Sequence, residues 1–192
     1  MQDMNKTERT AYRKSVKLAQ CALFVVLMIV SAFIRIPVPY VPVTFQTVVA
    51  VLAGLMLGPW WGAASVAVYV ILGLLGLPVF ANGGGGYAYV VQLTFGYIIG
   101  FIAAALVAGV LRGNGAWTFR RAAAAAPAGL LANYAIGVPS FALIWLHSLN
   151  YSSVWEAVFF HYMLYLSQGV VFFSLAACFS VRLCAALWPD SF

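Results

Sequence analysis

The chain has 192 residues, 65% of them hydrophobic and only 7% charged, with a formal net charge of +6. Ordinary globular domains carry about 25% charged residues, enough to wet their surface. This composition excludes a soluble enzyme and fits a chain solvated by lipid, where runs of roughly 17–25 apolar residues form spanning helices.

Lys6, Arg9, Arg13, Lys14 and Lys17 precede the first apolar run. A cleaved signal would show a shorter apolar core and a small-residue cleavage site, so the run reads as a retained helix. The first span is expected over 18–36, stopped by Pro37, Pro39 and Pro42, which lack backbone donors. The second, over 44–57, is short. Gly58-Pro59-Trp60-Trp61-Gly62 follows as a connection, with paired Trp suited to the interfacial aromatic belt. The third span is expected over 63–77, before Pro78. Asn82 then leads into Gly83, Gly84, Gly85, Gly86 and Tyr87. Consecutive glycines do not hold a helix, and a flexible loop is expected that a ligand can approach closely. A fourth span over 89–111 carries Gly96-x-x-x-Gly100, a small-residue face for close helix contact. After a polar connection over 112–121 come spans five (122–146) and six (157–187). At about 20 residues each, six spans use roughly 120 residues and leave no room for an ATP-binding or other extramembrane catalytic module.

Nine of the ten Lys and Arg residues, all but Arg35, fall in cytoplasmic segments if the N-terminus is inside. The expectation is therefore an all-α integral protein of a bacterial inner membrane, N-in and C-in. Residues 1–17 would form a basic cytoplasmic segment and 18–192 a single six-helix transmembrane domain. The same placement argues against nucleic acid, which needs a basic groove outside the membrane. Cys21, Cys178 and Cys184 show no metal-ligand spacing, so no metal site is expected. The halves share no motifs, so an inverted repeat is not expected.

Polar residues at membrane depth are costly and therefore informative. Here they are neutral: Gln46, Asn82, Gln92, Thr94, Asn133, Tyr134, Ser140, Ser167 and Gln168. One reading is interhelical glue, worth about 0.6 kcal/mol per contact. The other is an apolar small-molecule pocket with a few hydrogen-bonding groups, walled or lidded by the glycine loop and the start of span four. Arg35 either snorkels to the interface or grips a substrate carboxylate. His147, Glu156 and His161 are too scattered to define a proton relay. No nucleophile and base occur at recognisable spacing, so no enzymatic activity is expected.

Ile36-Pro37-Val38-Pro39, Val41-Pro42-Val43-Thr44-Phe45-Gln46-Thr47 and Leu52-Ala53-Gly54-Leu55-Met56-Leu57-Gly58-Pro59 together resemble the BioY family. These are the biotin-specific substrate-binding (S) components of energy-coupling-factor (ECF) vitamin transporters. The likeness continues through Gly73-Leu74-x-Gly76-Leu77-Pro78-Val79-Phe80-Ala81-x-Gly83-Gly84-x-Gly86, Gly96-Tyr97-x-x-Gly100-Phe101 and Tyr134-x-x-Gly137. It departs at Gln92-Leu93-Thr94-Phe95, where the family usually has Gly-Pro-Thr. It departs again at Tyr165-Leu166-Ser167-Gln168-Gly169-Val170-Val171-Phe172, where the family usually has Pro-Gly-Asp-x-x-Lys.

The resemblance implies a six-helix S-component bundle that captures biotin on the outer side, with loop one and the loop after span three closing over it. It implies an ECF transmembrane coupling protein and two cytoplasmic ATPases as partners, and no cofactor beyond biotin as transported ligand. The substrate-binding residues expected are Arg35, Gln46, Asn82, Gly84, Gly85, Gly86, Tyr87, Gln92, Tyr97, Asn133, Tyr134 and Gln168, the last in place of the missing Asp and Lys. Ser15, Ala19 and Ala22 share one helix face, an approximation of the family's Ala-x-x-x-Ala docking face. Two alternatives stay open: another small carboxylated vitamin or precursor as ligand, or a structural membrane protein without one.

Overall fold

A computed structural model describes residues 6–36, 43–113 and 119–149. The first helix, α1, runs Lys6–Phe33. It starts inside the basic run rather than after it. No Gly or Pro interrupts residues 6–33, so nothing stops the helix where charge gives way to hydrocarbon. It ends just before the proline-rich stretch. Two short strands, β1 (Arg35–Ile36) and β2 (Val43–Thr44), flank that stretch and pair antiparallel, Arg35 opposite Thr44. This ribbon is a small addition to the all-helical expectation.

α2 spans Gln46–Leu57 and α3 spans Pro59–Leu74. Gly58, at φ 87°, is the whole connection between them. The expected Gly58–Gly62 linker is therefore corrected. Pro59 opens α3, where its missing N–H costs nothing, and Trp60 and Trp61 lie in the first turn. After α3 come two 3-10 turns, Ala81–Gly83 and Tyr87–Val91. Gln92 is extended and Thr94 caps α4, which runs Phe95–Arg112, so the regular helix starts later than the sequence suggested. α5 runs Phe119–Leu149 with Pro127 and Pro139 inside it. The expected sixth span, with Gln168, lies outside the described residues.

Among the described residues, three stretches are long and apolar enough to cross a membrane: Thr10–Phe33, Phe95–Arg112 and Ala124–His147. α2 and α3 are apolar but shorter. One core joins Phe24, Val25 and Met28 of α1 to Tyr69 and Val70 of α3 and Phe101 of α4. A second joins Val51 and Leu55 of α2 to Ala104, Ala108, Ala125 and Ala126. Small residues bring the backbones together there. A Cβ on Gly54 would collide with the Ala105 carbonyl, one on Gly96 with Ser140, and one on Gly100 with Asn133. The Gly96/Gly100 face is thus the α4–α5 seam. Outside, Leu18, Leu23, Val26, Val30 and Phe33 of α1 remain exposed, as suits a lipid-facing helix.

Candidate functional site: a neutral slot between α2, α4 and α5

The short ribbon and the start of α2 deliver Thr44, Gln46 and Thr47 to one point. The turn region adds Ala81, Tyr89 and Thr94, α4 adds Tyr97, Ile98 and Phe101, and α5 adds Asn133. Together they line a cavity of ≈ 30 Å³. That holds about one water, whereas small-molecule pockets run to roughly 300–1,000 Å³. No charged side chain lines it among the described residues.

Gln46, only 3% exposed, is bonded at both ends of its amide. Its Oε1 accepts from Thr44 Oγ1 at 3.0 Å, and its Nε2 donates to the hydroxyl of Tyr69. Tyr69, fully buried behind the cavity wall, donates in turn to the Val79 carbonyl at 3.3 Å. Thr94 Oγ1 donates to the Tyr89 hydroxyl at 3.3 Å. The Tyr97 ring meets Tyr134 edge-on, centroids 6.4 Å apart, and leaves Gly137 no room for a side chain. Asn133 is 1% exposed, and its Oδ1 finds no hydrogen-bond partner among the described residues. An acceptor buried and unpaired is expensive, which makes Asn133 Oδ1 a candidate recognition group.

The glycine loop is more ordered than its composition suggests. Phe80 N–H donates to Gly84 O at 3.0 Å, Gly83 N–H to Phe80 O at 3.0 Å, and Gly86 N–H to Gly73 O at 2.7 Å. Asn82 sits in the left-handed region at φ 65°, which Asn tolerates better than most residues. The glycines here serve a tight turn against the end of α3.

Of the residues expected to bind substrate, Gln46, Tyr97 and Asn133 meet on the cavity, with Tyr134 behind Tyr97. Arg35, Asn82, Gly84, Gly85, Gly86, Tyr87 and Gln92 do not line it, and Tyr87 is 87% exposed. Thr44, Thr47, Tyr89 and Tyr69 were not singled out from sequence. Thr44 and Thr47 stand within the quoted Val-Thr-Phe-Gln-Thr run, but nothing in the sequence places Tyr69 next to Gln46. On α1, Ser15, Ala19 and Ala22 are all exposed, and Ser15 Oγ donates to the Ala11 carbonyl at 3.1 Å.

The architecture matches the crystal structure of the S-component for biotin from an ECF-type ABC transporter. The TM-score is 0.75 over 94% of each chain at 20% sequence identity. The fold is thus that of an ECF S component, a membrane-protein fold. Sequence comparison is more specific. The BioY family model matches residues 4–188. A probable biotin transporter BioY of Lysinibacillus sphaericus is 43% identical over 148 residues, 77% of this chain and 75% of that protein. The biotin transporter BioY of Thermotoga maritima is 42% identical over 125 residues, 64% and 72% of the two chains. The chain belongs to the BioY family, as its motifs suggested, and is a transport component rather than an enzyme.

Proposed function

We propose that this chain is the substrate-binding membrane subunit for biotin uptake. The observation that carries the reading is the match of the BioY family model to nearly the whole chain, residues 4–188. The neutral slot supports it. A ureido ring offers N–H donors and a carbonyl acceptor, and Gln46 and Asn133 supply complementary groups. The apolar ring and chain of biotin suit Ile98, Phe101, Tyr89 and Tyr97. Because the cavity holds about one water, biotin enters only if the helices or loops around it move apart. Gln46, Tyr97, Asn133, Tyr134 and Gln168 form the proposed contact set. Arg35, Asn82, Gly84, Gly85, Gly86, Tyr87 and Gln92 reach the ligand only if their loops move inward on binding.

The proposed setting is a bacterial inner membrane with both termini cytoplasmic. Residues 1–17 form a basic segment and 18–192 a single domain of six spanning helices. An ECF coupling protein and two cytoplasmic ATPases supply the energy, docking along Ser15, Ala19 and Ala22, whose exposure leaves room for a helix. Calorimetric titration of the purified protein with biotin tests the central reading. Saturable binding that related carboxylated compounds fail to displace is expected. Absence of heat, or preference for another compound, rejects it. Ala19→Trp should abolish uptake in cells carrying the partner proteins while leaving biotin affinity unchanged. Uptake at the normal rate would place the docking face elsewhere.

A further inference from the structure

We infer that Tyr69 is a positioning residue that fixes the polarity of the Gln46 amide and ties the cavity to the glycine loop; the ligand side of this inference rests on the biotin reading. The argument is one of donors and acceptors. The Val79 carbonyl can only accept, so a bond across the 3.3 Å between it and the Tyr69 hydroxyl uses the hydroxyl's single proton. The Tyr69 oxygen is then left to accept, and it does so from Gln46 Nε2. The Gln46 carbonyl must therefore face the other way, where Thr44 Oγ1 donates to it at 3.0 Å. A backbone carbonyl at the edge of the turn region thus dictates which end of a cavity-lining amide is donor and which is acceptor. An amide otherwise flips between two nearly isosteric orientations. Among the described residues, one N–H and one lone pair of the amide stay uncommitted.

The ring is held as firmly as the hydroxyl. Tyr69 is fully buried. Phe80, the next residue after Val79, packs edge-on against it with centroids 5.6 Å apart. Phe80 also lies 4.7 Å from Tyr89, which lines the cavity. The aromatic series Tyr69, Phe80, Tyr89 and the polar series Thr44, Gln46, Tyr69, Val79 run in parallel from the cavity to the loop. Tyr69 does not itself line the cavity: its hydroxyl reaches a ligand through Gln46, and its ring contact through Phe80 and Tyr89 is kept in Tyr69→Phe.

Tyr69→Phe keeps the ring and removes only the hydroxyl. Two measurements test it. The first is a double-mutant cycle on biotin affinity. Tyr69→Phe should weaken binding about five- to tenfold in the wild-type background and have no further effect once Gln46 is alanine. Equal losses in both backgrounds would mean a general structural role and overturn the inference. The second is hydrogen exchange without ligand. Tyr69→Phe should speed exchange of the Phe80, Gly83 and Gly84 amides about tenfold and leave the α4 amides unchanged. Unchanged exchange in the loop overturns the tie. If wild-type protein binds no biotin, the functional reading fails and the exchange measurement alone decides this inference. If Tyr69→Phe does not fold, wild-type protein with and without biotin decides it. Ligand must slow exchange at those loop amides, and an unchanged rate overturns the link.

Discussion

The seam between α2, α4 and α5 and the cavity at its polar end are built from the same helices by opposite means. Along the seam, Gly54, Gly100, Ala104, Ala105, Ala108, Ala125 and Ala126 let backbones approach until little but van der Waals contact remains. At the cavity the side chains are larger and polar, a hollow remains, and Asn133 Oδ1 stays unpaired among the described residues. Asn133 belongs to both regions, since Gly100 admits it to the seam and the cavity exposes its other side. The contrast separates what holds the bundle from what forms the proposed binding site. Within lipid the bundle gains little from burying more hydrocarbon, so close backbone packing stabilises it. The polar end is then free to keep a buried group such as Asn133 Oδ1 unpaired among the described residues.

Gly54→Leu should break the seam most completely. Its Cβ meets the Ala105 carbonyl, and two backbones have no rotamer with which to yield. A loss of about 3 kcal/mol or more is expected, read as a lowered melting temperature in detergent or no folded protein. A normal melt would mean that the helices slide apart more easily than their packing indicates. Gln46→Ala should act on the other region. It removes a buried amide from the cavity and should cost about 1–3 kcal/mol of biotin binding, measured by calorimetry. If its effect on melting exceeds that of Gly54→Leu, the division between the two regions is wrong. Tyr87→Ala should do least, because the side chain is 87% exposed. Stability should stay within about 0.5 kcal/mol and affinity within about twofold. A tenfold loss of affinity would show the glycine loop coming down onto the ligand and would enlarge the polar region to include it.

The difference between the regions also explains what the sequence discloses. Apolar run length and the Pro and Gly punctuation locate the five described helices, with ends within a few residues except at the starts of α1 and α4. Gly96-x-x-x-Gly100 marks a seam because small residues at that spacing have few other uses in a membrane helix. Errors fall where local chemistry is ambiguous. Pro59 reads as a breaker but starts α3, and the basic run reads as a tail although it is helical from Lys6. The site is harder. Gln46 and Asn133 stand out because polar groups are costly at depth. Tyr69 and Tyr89 do not, since a Tyr in an apolar run is equally at home facing lipid headgroups, core or ligand. α3 is apolar on nearly every face, so its sequence does not say which side turns inward. Only packing against α1, α2 and α4 settles that Tyr69 faces Gln46.

The early start of α1 has a mechanical consequence. Residues 6–17 add about 18 Å of helix to about 24 Å over residues 18–33, at 1.5 Å per residue. The basic stretch is therefore the arm of a stiff rod, nearly as long as the part that lies against the bundle. Lys17 sits where the two parts meet, its ammonium 5.9 Å from the centre of the Trp61 ring at the start of α3. Met28 and Ala32, buried at the far end, are on the same helix as the arm, so a sideways load on the arm is resisted by their packing. The basic arm and the buried end of α1 thus belong to one continuous helix, with no loop between them.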